Sequence, residues 1–212
     1  MSKLIPASLG AMGVSGAGVG SYIYLTSSEN KKEEKVMTFK EKYSHAPLDL
    51  EGNTNDTIWS SKLTALKTGS PHHPDLISAK NAITPQGEDK AKPLHKEACR
   101  KIYGSSSDNQ DYFHDFKKYC SKLLGDLVTG TWISSDSNSN SSWDGKLNDL
   151  ISKKSELVSQ TLKSFAESLK TGSLTEEQRK TIKDWCSTQK DQLFSGEGDN
   201  VIQEIKSYCT SN

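Results

Sequence analysis

"WDGKLNDL", residues 143–150, repeats the form of "WSSKLTAL", residues 59–66: both are W-x-x-K-L-x-x-L, 84 positions apart. Positions one, five and eight are apolar and fall on one face of a helix, with the lysine at position four free to snorkel beside it. Trp59, Leu63 and Leu66, and likewise Trp143, Leu147 and Leu150, are therefore expected to face a core, each phrase opening a helical unit. More of the chain repeats downstream. Trp59 is followed by Cys99 and by "FKKYC" ending at Cys120; Trp143 is followed by Cys186 and by "IKSYC" ending at Cys209. Trp, Cys and Tyr are rare residues, and here their order and spacing both recur. The pattern reads as an internal duplication of a unit too small to bury much on its own.

The expected fold class is all-α. In the second unit Trp143, Leu147, Leu150, Ile151, Val158, Leu162, Phe165 and Leu169 recur at three- and four-residue steps up to Gly172. Helix is expected to restart at "SLTEEQ", with Thr175 and Gln178 placed as a capping box, and again from Asp199 to Cys209. The first unit predicts a helix over 57–67 cut short by "TGSPHHP", then helix over 95–103 and 109–124. No stretch alternates as a strand would. The expected divisions are a signal anchor over 1–28, a charged stalk over 29–54, a first helical unit over 55–133, a Ser/Asn linker over 134–142 and a second unit over 143–212.

Composition narrows the function classes. Lys+Arg and Asp+Glu both number 27, so no net charge attracts a polyanion, and only Arg100 and Arg179 supply guanidinium forks. Nucleic-acid binding is not expected. Residues 4–28, "LIPASLGAMGVSGAGVGSYIYLTSS", carry no charge and as a helix would span about 37 Å, enough to cross a bilayer. Gly10, Gly13, Gly16 and Gly20 share one side of that helix, a smooth face on which membrane helices associate with one another. Lys3 before the segment and a balanced flank after it place the N-terminus inside and the bulk of the chain outside the cell membrane. A cleaved signal peptide, cut after Ala17 to release a secreted protein, is the alternative.

Four cysteines permit three pairings, and the duplication selects Cys99–Cys120 and Cys186–Cys209; buried free thiols are the competing reading. His95-x3-Cys99 and His114-x5-Cys120 have spacings zinc accepts, but all five histidines (His45, His72, His73, His95, His114) lie in the first part and the second unit has none, so zinc is not expected and no metal ligand is assigned. His72-His73-Pro74-Asp75 reads as a solvated loop. No catalytic motif is present, and neither a catalytic residue nor a cofactor is expected.

"MSKLIPASLGAMGVSGAGVGSYIYL" ahead of a Lys-rich body with "CRKIYG", "FKKYC" and "IKSYC" resembles the large paralogous protein families of haemotropic mycoplasmas, most closely over residues 1–25. The resemblance implies a membrane-anchored, surface-exposed protein in contact with host surfaces or antibodies, and it brings no site residues. Non-catalytic surface display, antigenic or adhesive, is the expected function; an anchored or secreted extracytoplasmic enzyme or small-molecule binder is the alternative.

Overall fold

The computed structural model describes residues 36–134, 140–170, 172 and 174–211. They belong to one compact unit, Lys35–Asn212; the other unit, Met1–Glu34, lies outside the described residues, and with it the expected membrane helix and its Gly10, Gly13, Gly16 and Gly20. Among the described residues no helix is long and apolar enough to cross a membrane.

The described chain is mostly helical. Short helix α1 (Phe39–Lys42) is followed by α2 (Asp56–Thr68), α3 (Pro74–Gln86), α4 (Glu88–Gly104) and α5 (Gln110–Asp115), which widens into a π-turn over Phe116–Cys120. Then come α6 (Leu124–Leu127), α7 (Asn140–Lys153), α8 (Gln160–Ser168), α9 (Glu176–Lys190) and α10 (Asp199–Cys209). Two-residue strands β1 (Thr131–Trp132) and β2 (Thr210–Ser211) pair antiparallel.

Local chemistry accounts for the boundaries. Helix α2 carries Trp59, Leu63 and Leu66 inward, and Gly69 ends it at a point where a Cβ would stand 2.1 Å from the Tyr119 hydroxyl. Pro74 opens α3 at a position that needs no N–H, and the Nδ1 of His73 accepts from the Asp75 N–H. Gly87, at φ +82°, makes the tight reversal between α3 and α4, which pack closely through Ala79, Ala82, Ala91 and Ala98. Helix α9 starts with the expected capping box, Thr175 to the Gln178 N–H and the Gln178 side chain back to Thr175.

Several expectations change. Helix α3 replaces a turn-rich gap, and α4 starts well before residue 95. The expected continuous helix over 143–169 is two helices, because the Glu204 carboxylate accepts from the N–H groups of Val158 and Ser159 and so fixes the start of α8. Val158, counted toward the core, is exposed. The charged stalk is packed from Phe39 onward: Phe39, Ala46 and Leu48 are buried, and Phe39 lies in a cluster with Tyr43, Phe113 and Phe116. Its charge is concentrated before residue 36, and the apolar residues after that point, among them Phe39, Tyr43, Ala46, Leu48 and Leu50, follow no single helical or strand period.

The halves repeat one pattern of backbone bonds, which sets the frame of the unit. Phe39 N–H donates to Ser105, six residues after Cys99; Leu124 N–H donates to Gln192, six after Cys186. Ser107 donates to Met37 as Phe194 does to Lys122, and Leu48 donates to Cys120 as Ile133 does to Cys209. Thr38 bridges Ser106 and Leu123 bridges Leu193. The repeat therefore begins at Met37 and at Lys122, ahead of the Trp helices. Of the expected linker, residues 140–142 already belong to α7.

Each repeat has its own core. Phe39, Trp59, Leu66, Ile102, Phe116 and Tyr119 anchor the first, and Leu124, Trp143, Leu147, Leu162, Ile182 and Ile205 anchor the second. The cores are tied across the boundary. Leu193 of the second repeat packs on the first core, and the Lys62 ammonium of α2 lies 2.7 Å from the Asp126 carboxylate of α6.

Candidate functional site

The disulfides are those selected by the duplication. Cys99 bonds Cys120 and Cys186 bonds Cys209, stapling α4 to the π-turn and α9 to α10. Trp59, Leu63, Leu66, Trp143, Leu147 and Leu150 are all buried in their cores. The lysines of the two Trp phrases differ in their surroundings. Lys62 is buried and paired with Asp126, and Lys146 donates to the Ser207 carbonyl at 2.6 Å.

Beside the first disulfide sits His95, fully buried, with its ring edge-on to Trp59. Its Nε2 is 2.9 Å from the Tyr119 carbonyl, so that nitrogen carries the proton and donates. Burial pushes its pKa down to about 4, aided by the Lys62 charge and opposed by the Tyr119 hydrogen bond. His95, Cys99 and Cys120 do converge, as zinc spacing would require. The sulfurs are bonded to each other, however, and no thiolate remains for a metal.

The more unusual chemistry lies five residues before the last cysteine of each repeat, where Asp115 and Glu204 are buried carboxylates. Each caps the helix that follows the Trp helix. In the second repeat the work is divided: Glu204 Oε1 accepts from Val158 N–H at 2.8 Å and Oε2 from Ser159 N–H at 2.9 Å. In the first repeat one oxygen does both, Asp115 Oδ2 accepting from His72 N–H at 2.8 Å and His73 N–H at 2.6 Å. That leaves Oδ1 directed elsewhere. It lies 3.5 Å from His72 Nδ1 and 3.5 Å from His114 Nδ1, with the two rings 5.2 Å apart and nearly perpendicular. Both imidazoles are about half exposed, and the carboxylate is wholly buried. Asp111 Oδ1 stands 4.0 Å from the other nitrogen of His72.

His114, grouped by spacing with Cys120, is thus grouped by the fold with His72 and Asp115. Asp115 and Glu204 were missed, although a signal was available: "DFKKYC" and "EIKSYC" show that the repeated phrase begins one residue earlier, with an acid. A separate cleft of about 490 Å³, lined in part by Trp132, Trp143, Lys183 and Asp184, borders Ser134, after which the chain lies outside the described residues. In comparisons with protein-family models, curated proteins and solved structures, nothing matches the chain.

Proposed function

We propose that the chain is a non-catalytic display protein. Residues 4–28 anchor it in the cell membrane with the N-terminus inside, and the two disulfide-stapled repeats stand outside, where they meet host surfaces or antibodies. The observation that carries this reading is the pair of buried disulfides at equivalent places in the two repeats. Such bridges form and persist in oxidising surroundings, whereas a reducing cytosol keeps thiols free. Its likeness to the haemotropic mycoplasma families points the same way.

Labelling whole cells with a membrane-impermeant amine reagent tests the location, since many of the chain's lysines are exposed. The repeats should be labelled without lysis, while a cytoplasmic marker protein is not. Labelling that appears only after lysis rules out display. Intact mass of the native protein separates anchor from secreted form, because cleavage after Ala17 removes the first 17 residues.

A further inference from the structure

We propose that His72, His114 and Asp115 form a binding site for one divalent cation of the zinc type, an inference that goes beyond display and does not depend on it. Two imidazoles and a carboxylate converge: His72, His114 and Asp115 each offer a donor atom within 4.8 Å of the other two. Around a tetrahedral zinc with ligands at ~2.05 Å, neighbouring donor atoms are about 3.3 Å apart. The two Oδ1 to Nδ1 separations of 3.5 Å are already close to that edge. Rotating the half-exposed imidazoles closes the third.

The site is built rather than incidental. Asp115 cannot swing away, because Oδ2 is held by the N–H groups of His72 and His73 at the start of α3. The same hydrogen bond fixes the backbone that carries one of the histidine ligands. Asp111, near the Nε2 of His72, is placed to orient that ring as carboxylates commonly do behind metal-bound imidazoles. Imidazole and carboxylate together suit zinc and its neighbours better than calcium or magnesium, which take oxygen ligands. With three ligands from the chain, the fourth position is left for water or an outside group.

The second repeat is an internal control. At the places of His72, His73, His114 and Asp115 it has Val158, Ser159, Gln203 and Glu204, and both oxygens of Glu204 are used in capping. The fold is therefore made without a metal in one repeat, and the first repeat differs by a spare carboxylate oxygen facing two imidazoles. Zinc is thus added to a finished scaffold and is not required for folding. The confinement of histidines to the first repeat, which argued against zinc as part of the common fold, is what a metal added to one repeat leaves.

The control also supplies variants that keep the fold. Tag-free oxidised full-length protein is titrated with zinc by calorimetry at neutral pH, and with cobalt(II) by visible absorption. One ion per chain should bind saturably below millimolar concentration. Cobalt should show tetrahedral d–d bands without thiolate charge transfer, since the cysteines are bonded. His72→Val and His114→Gln, each taking the residue found in the second repeat, should abolish binding with unchanged circular dichroism. Asp111→Asn should weaken it by about tenfold. Absence of saturable binding, or binding unchanged in His114→Gln, overturns the proposal.

Discussion

Replacing Cys186 and Cys209 together by alanine opens a loop whose ends are 23 residues apart, and replacing Cys99 and Cys120 opens one of 21. Loop-closure entropy for cross-links of this span gives each about 3.4 kcal/mol at 25 °C, through restriction of the unfolded chain. For a compact unit of about 180 residues the entropy of unfolding is roughly 0.37 kcal/mol per kelvin, so each loss lowers Tm by about 9 °C. Both losses together, about 7 kcal/mol, would exhaust much of the 5–15 kcal/mol that domains typically have. The assay is urea unfolding of oxidised protein followed by far-UV circular dichroism. The midpoint should fall and the denaturant slope should rise, because a chain without the cross-link expands further when unfolded. The two variants should be nearly equal, since the loops are nearly equal. A loss under about 1 kcal/mol in either, or a several-fold difference between them, refutes loop closure as the source.

Lys62→Met should cost about 1–3 kcal/mol by leaving the partly buried Asp126 carboxylate with the Leu123 N–H but no counter-charge, and Lys62→Met with Asp126→Asn should cost much less than the two single changes added. Additive losses in that double-mutant cycle would show that the pair does not couple the repeats. His95 gives an acid dependence. Its folded pKa of about 4 lies below the unfolded 6.5, so the unfolded chain binds the proton first and stability falls as pH drops from 6.5 toward 4. The expected loss is about 3 kcal/mol by pH 4. His95→Gln should flatten that part of the profile in urea titrations at several pH values, and an unchanged slope would reject the assignment.

Some of this architecture was legible in the sequence, and physics explains which part. Trp59, Leu63, Leu66 and their counterparts are large residues at helical spacing, so periodicity exposes them. Helix α3 buries Leu76, Ala79, Ala82 and Ile83 at helical spacing, but the turn-forming "TGSPHHP" ahead of it and Pro85 within it speak against helix, and it escaped notice. The break between α7 and α8 depends on Glu204, more than forty residues away, and no local pattern contains it. The cysteine pairing was readable because duplication removed the ambiguity. The metal cluster was not: His72 and His114 are 42 residues apart and meet only because Asp115 caps the helix beside them. Even so, the acid at the head of each "YC" phrase marked the residue that brings them together.

The repeats share their junction. Ser121 closes the first by bridging Pro47, and Leu123, two residues on, opens the second by bridging Leu193. No peptide unit between them is free to act as a hinge. This governs how the molecule can be divided. A cut at the polar stretch 134–142, where the sequence invites one, would strip the second repeat of Leu124, Val128 and Trp132 and leave them dangling from the first. A cut at residue 121 would separate Lys62 from Asp126 and pull Leu193 from the neighbouring core. Neither fragment is a domain. Within Lys35–Asn212 the two repeats are therefore one compact unit, and they present their surfaces at a fixed spacing and angle.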